Sequence, residues 1–256
     1  MPTTQTSGPA TTLTGKVALV TGGSRGIGAA IARRLAADGA DVALTYVSAE
    51  GRAKEVAEDI RALGRRALIV QADSADAQAP ASAVHRTAEE FGRLDILVNN
   101  AGIFPHGPLE DITVEEIDRT LAIHVRATLL SSQAAAAHMR EGGRIISIGS
   151  GFADRVPQAG ITLYAASKSA LGGLTRGLAR DLGPRGITAN LVHPGSTDTD
   201  MNPGDSGDNA DAQRARTALG HYGTPEGIAA TVAHLASGDA GNVTGAAITV
   251  DGGANA

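Results

Sequence analysis

Residues 16–28, KVALVTGGSRGIG, constrain the fold more than any other stretch of this 256-residue chain. Positions 16–21 are a short apolar, β-branched run without polar alternation, the pattern of a strand covered on both faces. A glycine-rich turn follows. From 24 to 38 the spacing turns helical: Ile27, Ile31 and Leu35 share one stripe, and Gly39 ends it. A buried strand that passes through glycines into a helix calls for a second, parallel strand, because the helix is the crossover that returns the chain to the same end of the sheet.

The remaining chain repeats that unit. Strands are predicted at 41–47, 67–71, 95–98, within 143–149, at 187–192 and at 247–250. Helices are predicted at 53–63, 81–91, as one long stretch over 114–140, at 163–181 and at 225–236, the last opening on Pro225. Strand and helix alternate throughout, so the expected fold is α/β: a single-domain, doubly wound parallel sheet with helices on both faces. One segment breaks the rhythm. Residues 201–211, MNPGDSGDNAD, are polar and rich in turn formers. They follow the sixth strand, on the edge where such sheets bind ligands, and are read as the centre of a substrate lid at 200–220. The chain is expected to be one domain over 13–256 after a flexible tail at 1–12.

Composition narrows the function. Aromatics make up 2%, so the core must be built from Ala, Val, Leu and Ile, and stacking platforms for single-stranded nucleic acid are scarce. A net charge of -5 argues against a polyanionic partner. With no cysteine, disulfides, thiolate catalysis and cysteine-based zinc sites are excluded, which fits a cytoplasmic location. No apolar run reaches the roughly 18 residues of a membrane span, and no metal site is expected.

The turn Gly22-Gly23-Ser24-Arg25-Gly26-Ile27-Gly28 is spaced Gly-x-x-x-Gly-x-Gly. Glycines let a backbone approach a pyrophosphate, and the helix start offers free N–H groups at its positive end. At the end of the second strand an acid would hold the ribose 2′-hydroxyl of NAD, and a basic residue nearby would hold the 2′-phosphate of NADP. Tyr46-Val47-Ser48 has no acid. Arg25, Ser48 and Arg52 are the candidates to meet a phosphate, which favours NADP. Farther along stand Ser150 and the pair Tyr164 and Lys168. Positions i and i+4 share a helix face, so the last two point into one space. A free phenol has a pKa near ~10, and an adjacent ammonium is expected to lower it and fit Tyr164 for proton transfer to a carbonyl oxygen.

TGGSRGIG at 21–28, NNAG at 99–102, Ser150, YAASK at 164–168, and Pro194-Gly195 with Thr199 occur in the order of the short-chain dehydrogenase/reductase family. The chain resembles that family from Thr14 to Gly253, and is similar to its 3-oxoacyl-carrier-protein-reductase-like carbonyl reductases. The resemblance implies a Rossmann-type sheet of about seven strands and nicotinamide chemistry. It implies a cofactor site that also includes Asp73, Ser74, Asn100, Ala101, Gly102, Pro194, Gly195, Thr197 and Thr199. Tyr164 would be the acid/base, Lys168 would hold the nicotinamide ribose and tune Tyr164, and Ser150 would orient the substrate oxygen. It implies a small carbonyl or alcohol substrate and a homotetramer.

The family usually carries Asn where this chain has His124, at a position that supports the proton relay behind the lysine. A histidine there is expected to add an ionisation on the acid side of the activity profile; the alternative is a packed structural residue, the commoner role of a lone histidine on a helix. The lid acids Asp205, Asp208 and Asp211 are expected to disfavour an anionic substrate. The alternative to an enzyme is a nucleotide-binding regulatory protein of the same family, because YAASKSAL at 164–171 and PRGITANLVHPG at 184–195 also resemble a member that binds a cyclic dinucleotide. The intact Ser150, Tyr164 and Lys168 favour catalysis.

Overall fold

A computed structural model describes residues 13–256; the expected tail at 1–12 lies outside the described residues. Seven strands form one parallel sheet: β1 (Val17–Val20), β2 (Asp41–Tyr46), β3 (Ala67–Gln71), β4 (Ile96–Asn99), β5 (Arg144–Ile148), β6 (Thr188–Pro194) and β7 (Ala247–Val250), in the order β3-β2-β1-β4-β5-β6-β7. The chain winds outward from β1 through β2 to β3, then returns to β4 on the other side of β1. The crevice at the carboxyl ends of β1 and β4 is therefore the switch point of the sheet.

The described residues form eight α-helices, α1 (Gly26–Ala37), α2 (Glu50–Ala62), α3 (Ala79–Phe91), α4 (Val114–Leu121), α5 (Ala127–His138), α6 (Thr162–Leu182), α7 (Asp208–Ala215) and α8 (Pro225–Ala236), which lie on both sides of the sheet except for α7, at its carboxyl edge. Alternation along β1 divides the core. Ala18 and Val20 join residues of α1, α2 and α8 in one cluster, and Val17 and Leu19 join residues of α3, α5 and α6 in the other. Both clusters are built almost wholly from Ala, Val, Leu and Ile. Right-handed crossovers put α1 and α2 on one face and, once the winding reverses, α5 and α6 on the other, while α8, between β6 and β7, returns to the face of α1.

The stretch expected as one long helix over 114–140 is continuously helical from Val114 to His138, with a π-helical turn at Ala122–Arg126 that joins α4 to α5 and carries His124. One local expectation is corrected. The presumed lid loop folds in part: α7 begins at Asp208, and the preceding turns are tied down by paired amide hydrogen bonds between Asn202 and Gln213, both 3.0 Å. Turn-forming composition hid α7, because its stability comes from these contacts and not from an apolar stripe.

Candidate active site

The glycine turn is held by its neighbours before any ligand arrives. Thr45 Oγ1 accepts from the Gly22 N–H at 2.9 Å. Thr21 Oγ1 accepts from the N–H groups of Asn100 and Ala101 at 2.9 and 3.0 Å, and the Asn100 amide donates to the carbonyls of Thr21 and Gly22 at 2.9 and 3.1 Å. A Cβ on Gly28 would lie 2.3 Å from the Gly22 oxygen and 2.5 Å from Asn100 Nδ2, so only glycine permits this approach. The start of α1 has no side-chain cap and no acid in its first turn. Its N–H groups are open to an anion, and a pyrophosphate fits this cradle.

The turn forms one end of a cavity of about 970 Å³ at the carboxyl ends of the strands. All the residues predicted for the site line it, from Gly22, Ser24, Arg25, Gly26, Ile27 and Gly28 through Tyr46, Ser48, Asp73 and Ser74 to Thr197 and Thr199, with one exception: His124 does not. Arg52, weighed for the phosphate end, is not on the wall either. It pairs with Asp200, whose carboxyl is held below its ordinary range by Arg52 and, more weakly, by Arg25.

Ser150, Tyr164 and Lys168 meet in the middle of the cavity. Ser150 leaves β5 in an extended conformation, its Oγ accepts from the Phe152 N–H at 3.2 Å, and its hydroxyl interacts with the Tyr164 phenol. Burial pushes the Tyr164 phenol above its ordinary pKa, and the Ser150 hydrogen bond pulls it part of the way back. The expected lowering by Lys168 is corrected. Lys168 Nζ donates to the Ile148 carbonyl at 3.0 Å and lies 5.9 Å from the centre of the Tyr164 ring, and burial drops its own pKa to about 8.

His124 is 1% exposed. Burial first, and Lys168 second, lower its pKa to about 3. Its Nε2 accepts from the Ile103 N–H at 3.0 Å, so the neutral ring carries its proton on Nδ1. That nitrogen donates to Ser167 Oγ at 2.8 Å, and the Ser167 hydroxyl donates to the Tyr164 carbonyl at 2.7 Å. Both ring nitrogens are thus engaged, and the expected ionisation of His124 within the working pH range is corrected by its burial. Its contacts make it a brace between the loop after β4 and the turn of α6 that carries Tyr164.

Several residues escaped the sequence reading. Phe104 and Phe152 stand edge-on to Tyr164, with ring centres 4.7 and 6.4 Å away, and both line the cavity. The chain has only 3 Phe and 3 Tyr, so their concentration here marks the substrate end, a signal that composition alone could not place. From the lid, Asp200, Met201, Asn202, Asn209, Gln213 and Arg216 face the cavity, while Asp205, Asp208 and Asp211 do not. The expected bar against anions from those three acids is corrected accordingly: Arg155 and Arg216 line the cavity, and Asp200 is paired with Arg52. His193 lies buried beneath Ser150.

The family model described as enoyl-(acyl carrier protein) reductase matches residues 22–255. The cyclic-di-GMP-binding biofilm dispersal mediator protein of Escherichia coli is 48% identical over 239 residues, covering 93% of this chain and 97% of that protein. An L-rhamnose 1-dehydrogenase (NAD(P)(+)) of Sphingomonas sp. is 39% identical, covering 94% of this chain and 96% of that protein. Among solved structures, a short chain dehydrogenase from Burkholderia cenocepacia in complex with NADP is 63% identical, with a TM-score of 0.94 over 96% of this chain and all (100%) of that one.

Proposed function

The chain belongs to the short-chain dehydrogenase/reductase family of nicotinamide-dependent oxidoreductases, and we propose that it is an NADP(H)-dependent carbonyl reductase, reversible as an alcohol dehydrogenase, with Tyr164 as the acid/base. The observation that carries this reading is the meeting of Ser150, Tyr164 and Lys168 in the same cavity as the glycine cradle. NADP(H), when bound, supplies or accepts the hydride. The N–H groups at the start of α1 hold the pyrophosphate, and Arg25 and Ser48 the 2′-phosphate. Asp73 and Ser74 hold the adenine, and Asn100, Ala101 and Gly102 form a wall beside it. Pro194, Gly195, Thr197 and Thr199 contact the nicotinamide end.

Ser150 orients the substrate oxygen, and Tyr164 donates a proton to it during reduction. Lys168 holds the nicotinamide ribose and keeps a positive charge behind the phenol. Phe104 and Phe152 pack the apolar substituent of the carbonyl, and Arg155 and Arg216 face its polar end. The test is NADPH oxidation with a panel of aliphatic and aryl ketones, neutral and carboxylated. Cofactor binding without turnover on any of them would favour the alternative, a nucleotide-binding regulator.

NADPH should bind more tightly than NADH. Arg25→Ala should weaken NADPH by roughly 10- to 100-fold and leave NADH unchanged, because only the 2′-phosphate makes that charge-assisted contact. Fluorescence titration of both cofactors at moderate salt decides this, and equal affinities for the native protein would contradict it.

The proposed assembly is a homotetramer in the cytoplasm, one domain over 13–256 with the segment 200–220 as its lid. Val114 and Leu121 on α4 and Leu129 on α5 are 67%, 41% and 50% exposed, apolar surface that a second subunit would cover. Light scattering at micromolar concentration should read a mass of about four chains, and a single-chain mass would exclude the assembly. Among the described residues no helix is long and apolar enough to cross a membrane.

A further inference from the structure

Ser150 is held by a histidine that the proposed reaction does not touch. His193 is next to last in β6 and 3% exposed. The Gly149 N–H donates to the Val192 carbonyl at 2.7 Å and continues the β5–β6 ladder, but the pairing of β5 with β4 ends at Ser147 and Asn99. Sheet pairing does not take up the Ser150 N–H. It donates instead to His193 Nδ1 at 3.0 Å. A Cβ on Gly149 would lie 2.4 Å from that nitrogen, so the ring fills the space of the missing side chain. On the far side, His193 Nε2 faces Asp154 Oδ2 at 3.9 Å. Asp154 closes the short turn Gly151–Ala153, which carries Phe152 into the cavity.

We propose that His193 is a positioning residue: its Nδ1 fixes the backbone of Ser150, and with it the hydroxyl that Tyr164 needs, while its Nε2 faces the turn that carries Phe152. His193 acts only through Ser150 and Tyr164, in the roles proposed for them in carbonyl reduction. A backbone N–H must have an acceptor when buried, and a neutral imidazole offers one on a rigid ring anchored in a buried strand. With Nδ1 accepting, the proton sits on Nε2, toward the Asp154 carboxylate. A protonated ring would have a donor at both nitrogens, and the Ser150 N–H would face another N–H. Asp154, on the turn, favours the protonated ring. Lys168, on α6, opposes it, and burial, the largest influence, opposes it further, so His193 titrates below the ordinary histidine range. Activity is therefore lost on the acid side as pH falls through that value. His124, neutral down to about 3, does not contribute to that limb.

The test uses the full-length protein with NADPH and the best ketone of the panel. His193→Asn puts an amide oxygen at the same number of bonds from Cα as Nδ1. His193→Gln puts its acceptor where Nε2 was, and His193→Leu has none. The Asn variant should keep kcat close to wild type, and Gln and Leu should lower it roughly 10- to 100-fold. KM should move less than kcat, and NADPH affinity should not change. The acid limb of kcat against pH should persist in His124→Asn and vanish in His193→Asn.

An Asn variant as impaired as Leu, a Leu variant with wild-type kcat, loss of NADPH binding in the His193 variants, or an acid limb that vanishes only in His124→Asn would each overturn the proposal. Nitrogen NMR of the wild-type imidazole reads the tautomer without any turnover. A proton on Nδ1 overturns the proposal whatever the activity, whereas a proton on Nε2 with no ketone reduced would sink the reductase reading alone.

Discussion

Replacing Tyr164 with Phe should leave NADPH binding intact and lower ketone reduction by roughly 10²–10⁴-fold, the usual contribution of a positioned general acid. The ring keeps its packing against Phe104 and Phe152, so the cavity wall survives and only the proton donor is lost. The pH dependence of the native protein follows from the direction of the phenol's shift. Burial holds Tyr164 above its ordinary value, so it is protonated at neutral pH and ready to donate. Alcohol oxidation needs the phenolate, whose fraction, below the pKa, grows tenfold for each unit that pH rises. Oxidation should therefore accelerate with rising pH up to about 8, where Lys168 begins to lose its charge, while reduction stays flat through neutrality. Single-turnover reduction by Tyr164→Phe within tenfold of wild type would remove Tyr164 from its assigned role.

Lys168→Met should abolish most activity and still make the protein more stable. The ammonium is 5% exposed, and burial takes its pKa from 10.5 to about 8. Between those values the unfolded chain holds a proton that the folded chain has lost, so stability rises with pH across that window. Below pH 8 the charge is buried at full cost, about 3 kcal/mol on the scale of 1.36 kcal/mol per unit. Methionine fills the space without the charge but leaves the Ile148 carbonyl without its donor, which returns about 1–2 kcal/mol of that gain. The net gain should raise Tm at pH 7 by a few degrees, at ~2–4 °C per kcal/mol for a chain of this size. The rise of native stability between pH 8 and 10.5 should be missing in the variant. Activity should fall by at least about 100-fold, because the positive charge behind the phenol is gone. Thermal unfolding at pH 7 and pH 10 beside initial rates checks both halves, and a lower Tm with activity retained would contradict them.

What the sequence by itself determined lies within short reach along the chain. Unbroken apolar runs such as 16–21 marked strands covered on both faces, and the alternation of strands with helical spacing led to the doubly wound sheet. The glycines at 22–28 marked the cradle, and the spacing of Tyr164 and Lys168 put both side chains on one face of α6. Each of these patterns is a property of residues a few positions apart, because the periods of helix and strand repeat locally.

Tertiary structure decided what depends on distant partners and on depth. His124 is neutral because it is buried beside Lys168, from a helix 40-odd positions onward. Arg52 is held by Asp200, 148 positions away, and does not join the cavity wall. The lid acids face away from the cavity because α7 presents its amides inward, and Lys168 donates to Ile148 and not to Tyr164 because of where β5 ends. Ser150 was legible as a residue type at a strand end; the imidazole that accepts its N–H was not, since His193 reads in the sequence as one more residue of a buried strand. Hydrogen-bond direction and the cost of burying a charge are set by what surrounds a group in space, and local spacing carries no record of that.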